Sequence, residues 1–372
     1  MRILGIVCVL MLLAVGLAVR ADVVLSGDMA ASQAVQPAPE TAAPQGGARG
    51  QGRGAAGPPL LPTPALTVAP TPAANGNFVI GPPYEPAPEL AVREGVPQGT
   101  VHEFTMASTD SAIYPGIARN QPGVVPYTRR VAVYVPAQHV RGTPMPFIVV
   151  QDGYANAYQP NLPRVLDNLI HEKRVPAMIA VLVHNGGGDA QGSQRGLEYD
   201  TVSGVYATFI ETEVLPRIAK DYGIVFTTDP DGRATMGGSS GAAAAFTMAW
   251  FHPEWYRRVL SYSGTYVNQQ SPFNPGVPRG AWEYHATLIP NSPRQPLRVW
   301  MHVSERDNRN WDPETTWRNW VLANERMAAA LAAKGYDYQY VYSRDSGHTD
   351  RAVIAATMPL ALEWLWKGYP VR

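Results

Sequence analysis

From about residue 98 onward, the apolar positions fall into two kinds of run that alternate along the chain. Arg130 to Val135, Phe147 to Val150, Ile179 to Val183, Leu297 to Val303 and Tyr338 to Tyr342 are short stretches, apolar throughout or at alternate positions, with the length and period of β-strands. The runs from Phe147, Ile179 and Leu297 are nearly unbroken, as in strands covered on both faces. Between these stretches, Pro163 to His171, Ser203 to Tyr222, Ser240 to Phe251, Trp317 to Lys334 and Arg351 to Trp366 repeat apolar residues three and four apart, the spacing of helices that bury one stripe. Strand and helix in alternation predict an α/β domain over 98–372, built on a mostly parallel central sheet with helices on both faces. Thr227 to Gly232 is a turn signal; its Asp229 and Asp231 lack the remaining ligands of a calcium loop.

The segment before this domain reads differently. Met1 and Arg2 precede an apolar run from Ile3 to Val19 and a small residue at Ala21, the pattern of a signal peptide cleaved after Ala21, so the expectation is a protein exported to the periplasm or the extracellular space. The alternative is an uncleaved anchor, since the run approaches the roughly 17 to 20 residues that span a bilayer. After cleavage no membrane association is expected. Residues 22–97 are rich in Pro, Ala and Gly and show no apolar periodicity, which predicts a disordered linker.

The 372 residues contain 30 acidic and 30 basic side chains, so no electrostatic footprint for nucleic acid is present. The single cysteine, Cys8, lies inside the apolar leader and lacks a lipidation lead. A mature chain would then hold no thiol, which excludes disulfides, thiolate metal sites and cysteine nucleophiles. No metal and no organic cofactor is implied, because the histidines are scattered and no Gly-rich phosphate loop occurs.

Candidate chemistry starts at Arg233-Ala-Thr-Met-Gly-Gly-Ser-Ser-Gly241, a short strand run followed by a glycine-lined turn and a helix. Gly237-Gly-Ser-Ser-Gly241 fits Gly-x-Ser-x-Gly, in which serine occupies a strained strand-to-helix turn and projects its hydroxyl beyond the sheet. Ser239 is the residue in frame; Ser240 would need Ala242 as its second small neighbour. Serine needs a base, and His348, on the glycine-flanked loop after Tyr338 to Tyr342, is the best placed of the histidines. The base needs a carboxylate to fix its tautomer. Asp307, deep in the loop after Leu297 to Val303, is preferred to Glu305, to Asp345, too close in sequence to His348, and to Asp312, which precedes a helix-initiating proline. The oxyanion of acyl transfer calls for two N–H donors: Ser240, after the nucleophile, and Tyr154, after Gln151-Asp-Gly153.

These residues resemble the putative-esterase family of α/β hydrolases, which includes enterochelin esterases, esterase D, mycolyltransferases and many feruloyl and acetylxylan esterases. The resemblance rests on Gln151-Asp-Gly153, Arg195-Gly-Leu-Glu-Tyr-Asp200, Gly237 to Gly241, Asn319-Trp-Val-Leu-Ala-Asn324 and Ser346-Gly-His348. It implies an α/β-hydrolase fold, a Ser239, Asp307 and His348 triad, and an oxyanion hole at Tyr154 and Ser240. The chain departs from the family pattern at Ala242, where a second glycine usually serves close helix–strand packing. The activity implied is hydrolysis of carboxylic esters, siderophore-type, phenolic or sugar-linked, through an acyl-enzyme. Acyl transfer on the same triad and an idle hydrolase fold used for binding are the alternatives. Arg195 and Glu198 are candidate substrate contacts or an internal ion pair. Trp311, with Trp317 and Trp320, is a candidate aromatic wall or helix packing.

Overall fold

The computed structural model describes residues 69–154, 162–187 and 189–371. The leader and most of the 22–97 segment lie outside the described residues. Eleven strands are present among the described residues: β1 (Gly76–Ile80), β2 (Thr100–Ala107), β3 (Thr128–Val135), β4 (Pro144–Met145), β5 (Phe147–Gln151), β6 (Ile179–Val183), β7 (Val225–Phe226), β8 (Arg233–Gly238), β9 (Arg258–Tyr262), β10 (Arg298–Arg306) and β11 (Asp337–Gly347). Nine form one sheet in the order β1-β11-β10-β9-β8-β5-β6-β3-β2, while β4 and β7 pair separately. The seven strands from β1 to β6 in that order run parallel, and β3 and β2 add an antiparallel edge.

The apolar runs are unbroken because both sheet faces are buried. Phe147 and Val149 of β5, with Ile179, Val181 and Val183 of β6, enter one core; Ile148, Val150, Ala180 and Leu182 enter the other. The first core is closed by α3 (Val205–Phe209), the π turn Ile210–Val214, α4 (Leu215–Tyr222), α5 (Ser240–Phe251) and α7 (Trp320–Ala333). The second is closed by α1 (Leu162–His171) and α8 (Arg351–Trp366). Two short helices, α2 (Gln194–Tyr199) and α6 (Ile289–Asn291), complete the set. The stretch read as one helix from Ser203 to Tyr222 widens to a π turn just before Pro216, which has no N–H to donate. Asn319 and Asp350 cap α7 and α8, accepting from Leu322 N–H at 3.0 Å and Ala352 N–H at 2.9 Å. Among the described residues no helix is long and apolar enough to cross a membrane.

The domain begins earlier than the composition implied, and the linker boundary at residue 97 is corrected. β1 lies inside the segment expected to be disordered, yet it pairs in parallel with β11, Asn77 opposite Tyr340 and Val79 opposite Tyr342. Phe78 and Val79 are buried, one in each core. Trp364 Nε1 donates to Asn75 Oδ1 at 3.1 Å, and Gln339 Nε2 donates to the carbonyls of Thr71 and Ala74. Asn77-Phe-Val-Ile80 is too short to raise a periodicity signal above its Gly and Pro flanks. Its partner strand lies more than 250 residues later, so only tertiary pairing orders it.

Candidate active site

The turn after β8 has the geometry of a nucleophile elbow. Ser239 adopts φ 58° and ψ −129°, a conformation costly for a residue with a Cβ, immediately before the first turn of α5. It is held there on both sides: Ser239 N–H donates to Tyr262 O at 2.9 Å, and its carbonyl accepts from Thr265 N–H at 3.1 Å and Ala242 N–H at 3.0 Å. The close approach explains the flanking glycine, since a Cβ on Gly237 would lie 2.3 Å from the Gly241 backbone. Ala242 is fully buried in α5 at the position where the family usually carries glycine. Ser239 Oγ is half-buried and lies 3.4 Å from Thr265 Oγ1. The Ser240 hydroxyl is turned away to Gln269 Nε2 at 3.4 Å and to the buried Asp200. Burial raises the Asp200 carboxyl, and hydrogen bonds from Gln269 and Ser240 with the charge of Arg195 offset this only in part.

At the ends of β10 and β11, His348 Nδ1 lies 2.6 Å from Asp307 Oδ1. Asp307 is buried and His348 is partly open to solvent. Burial by itself raises the Asp307 carboxyl. Hydrogen bonds from His348, Ser263 and Asn308 N–H and the charge of His348 outweigh it and hold the carboxyl below its ordinary value. Glu305 turns instead to Asp345 N–H at 2.7 Å, and Asp312 pairs with Arg309 at 2.7 Å. The loop after β9 ties the parts together. Ser263 N–H donates to His302 O at 2.8 Å and Ser263 Oγ accepts from Thr349 N–H at 3.1 Å. Thr265 also accepts from Trp320 Nε1 at 3.3 Å, and Trp320 stands edge-on to His348 with ring centroids 6.3 Å apart. Ser263 and Thr265 as parts of the site escaped the sequence reading, which names Trp320 only for an aromatic wall or helix packing. The signal for the first two was the apolar Val259-Leu260 of β9, after which any polar loop faces the same sheet edge.

The third loop follows β5. Asp152 and Gly153 both have positive φ, 67° and 71°, and reverse the chain just before Tyr154. A Cβ on Gly153 would fall 1.9 Å from the His184 ring. Asp152 is clamped by its own N–H to Tyr199 Oη at 3.0 Å, by Asn185 Nδ2 at 2.6 Å and by Arg195 through Nε at 2.9 Å and Nη2 at 3.0 Å. Of the two readings of Arg195 and Glu198, the geometry has internal ion pairs, but not with each other. Glu198 is 1% exposed, with Arg129, Gln194 and Gly186 N–H around its carboxylate, which leaves no surface for a ligand and corrects its candidacy as a substrate contact. Arg195, committed to Asp152, acts on the loop. The three tryptophans separate: Trp320 is buried in the core, Trp317 lies under the Arg279 guanidinium at 5.6 Å, and Trp311 is 68% exposed.

A sheet of seven parallel strands with an elbow serine after β8, a carboxylate after β10 and a histidine after β11 defines an α/β-hydrolase fold. Residues 124–364 match the family model described as "Putative esterase", and the chain belongs to that family. No curated protein matches the sequence. Among solved structures, the chain is similar to the enterobactin esterase of Shigella flexneri (TM-score 0.52, 19% identity, 74% of this chain and 62% of that chain covered). It is also similar to a ferulic acid esterase (TM-score 0.51, 19% identity, 73% of this chain and 99% of that chain). A third similar structure is the ferulic acid esterase of the anaerobic fungus Anaeromyces mucronatus (TM-score 0.51, 15% identity, 76% and 96%). This chain therefore spans about three fifths of the Shigella enzyme and nearly the whole of the two ferulic acid esterases.

Proposed function

We propose that the protein is an exported serine esterase, carried by its leader peptide and cleaved after Ala21, that hydrolyses carboxylic esters through Ser239, His348 and Asp307. The observation that carries this reading is the 2.6 Å contact of His348 Nδ1 with Asp307 Oδ1 at the same carboxyl ends of the parallel strands as an elbow serine at φ 58°. With Nδ1–H donated to the carboxylate, Nε2 is the nitrogen left to accept the Ser239 proton. Ser239 Oγ attacks the ester carbonyl as that proton moves to Nε2. The oxyanion is met by the N–H groups of Ser240 and Tyr154. The tetrahedral species collapses, the alcohol leaves with the proton from Nε2, and water repeats the sequence on the acyl-enzyme. Asp307 stays ionised at neutral pH, consistent with its lowered carboxyl, and stabilises the imidazolium at each step. Membership of the esterase family and the esterase structures of the same fold support this chemistry. Trp311, exposed in the loop after Asp307, is the side chain we assign to contact the substrate's aromatic or sugar portion.

The test is labelling of the folded protein with a fluorophosphonate, mass spectrometry of the peptide spanning Gly237 to Gly241, and hydrolysis of a chromogenic ester. One adduct on Ser239 with ester turnover is expected. Folded protein that takes no adduct would overturn the triad and leave a binding role for the fold.

A further inference from the structure

The end of the sheet opposite the elbow carries a second concave site. Arg258 and Arg298 begin β9 and β10, so this site is separated from Asp307 by the length of β10, about 30 Å at the strand rise. A cavity of about 390 Å³ opens there, lined by Arg257, Arg258, Arg294 and Arg298 with Asp231, Asp337 and Gln295. The rim is electrically balanced: Arg257 pairs with Asp231 at 3.1 Å and Arg294 with Asp337 at 3.8 Å.

The floor is not balanced. Arg258 is 6% exposed and donates only to carbonyls, Nε to Asp231 O at 2.6 Å and Nη1 to Leu365 O and Lys367 O. Arg298 donates Nη1 to Trp364 O at 3.3 Å. Among the described residues neither guanidinium has a carboxylate partner. Carbonyl oxygens at the C-terminal end of α8 offset part of this charge, as a helix C-terminus does, but carry no full negative charge. Burial and the neighbouring Arg298 bring Arg258 down to about 10, which the charges of Asp231 and Asp229 offset only in part. The planes are also fixed in advance: Arg298 stacks over Trp364 at 4.4 Å, and Arg258 over Trp366 at 5.5 Å.

We propose that this cavity is a binding site for a doubly charged oxyanion, a phosphate or sulfate group, held by the Arg258 and Arg298 guanidinia between the balanced rim pairs. Two fixed guanidinia with unused N–H donors match the oxygens of such a group, and a dianion would neutralise the excess of two positive charges that four arginines leave over Asp231 and Asp337 in the lining. A free phosphate ester and a sulfated polymer present the same group. Binding here is independent of the esterase chemistry, so its failure leaves the triad untouched.

The experiment is isothermal titration of the mature protein with inorganic phosphate, inorganic sulfate and dextran sulfate. One saturable site for phosphate or sulfate is expected. Arg298→Gln should raise Kd about tenfold or more, the equivalent of one charged hydrogen bond. Arg294→Glu, an exposed rim change that does not threaten folding, should do the same by charge reversal. Arg217→Glu, at an exposed arginine of α4, should leave Kd unchanged. Fluorophosphonate labelling should be equal in all variants. Dextran sulfate competing with phosphate would identify a polymer-borne group as the source, whereas phosphate binding alone would identify a free ester. No saturable binding of any of the three anions, or an equal loss in Arg217→Glu, would overturn the proposal.

Discussion

Arg195 grips Asp152 with two parallel hydrogen bonds, Nε to Oδ1 at 2.9 Å and Nη2 to Oδ2 at 3.0 Å, and Asp152 lies two residues before Tyr154. Asp152 is buried and left-handed, so the clamp sets where the following N–H groups point. Arg195→Ala should lower kcat by up to about 100-fold, the cost of a small misplacement at a reacting centre, with little change in KM. Arg195→Lys should not restore it, because a point charge cannot replace the fork. Steady-state kinetics on a chromogenic ester checks this. Unchanged kcat with a lowered melting temperature would reduce the pair to a structural one.

The two adjacent serines should separate cleanly. Ser239→Ala should remove ester hydrolysis by about 10⁴-fold or more. Ser240→Ala should keep a substantial fraction of it, since its hydroxyl faces Gln269 and Asp200 while only its N–H is required. Equal loss in the two variants would place the nucleophile out of frame.

Asp307→Asn puts an amide where His348 Nδ1–H needs an acceptor, and kcat should fall about 10⁴-fold while the protein stays folded. Because the folded-state carboxyl is lowered, its ionised form contributes stability above the unfolded value of about 3.9, and this is lost as pH falls through the folded value. Denaturant midpoints of the wild type and Asp307→Asn should therefore converge at strongly acidic pH. A constant gap between them would contradict the assignment.

Two buried histidines set the acid limit of stability. Burial brings His302 down to about 4 and His285 to about 3, against about 6.5 in the unfolded chain. Between about pH 6.5 and 4 the unfolded state binds more protons, so stability falls as pH falls, by up to about 1.4 kcal/mol per pH unit for each histidine. Above about pH 6.5 neither contributes a slope. Urea midpoints measured from pH 4.5 to 8 should show this dependence, weakened in His302→Gln. A flat profile would count against both being neutral in the fold.

β1 completes the sheet edge at β11. Phe78→Ala should destabilise by about 3 kcal/mol, as for a buried aromatic. A chain starting at residue 98 should lose stability further and aggregate through the bare β11 edge. Chemical denaturation and light scattering check both. A truncated domain of wild-type stability would restore the boundary at residue 97.

The sequence alone determined the elements whose signal is local. The unbroken apolar runs of β5, β6 and β10 follow from burial of both sheet faces, and the three-and-four spacing of α7 and α8 from the one face each buries, so the local pattern reads them directly. The Gly237 to Gly241 turn is legible for the same reason, because its backbone strain dictates small neighbours within two residues. Contacts between distant segments were decided only by tertiary structure. β1 is five residues in a Pro- and Gly-rich stretch and exists because β11 offers it hydrogen bonds. Arg195 and Glu198, three residues apart, part to Asp152 in the loop after β5 and to Arg129 of β3, since α2 directs them to different segments. Asp307 was preferred from its depth in a loop, but what separates it from Glu305 is a 2.6 Å contact with a residue 41 positions away, set by how β10 and β11 pair.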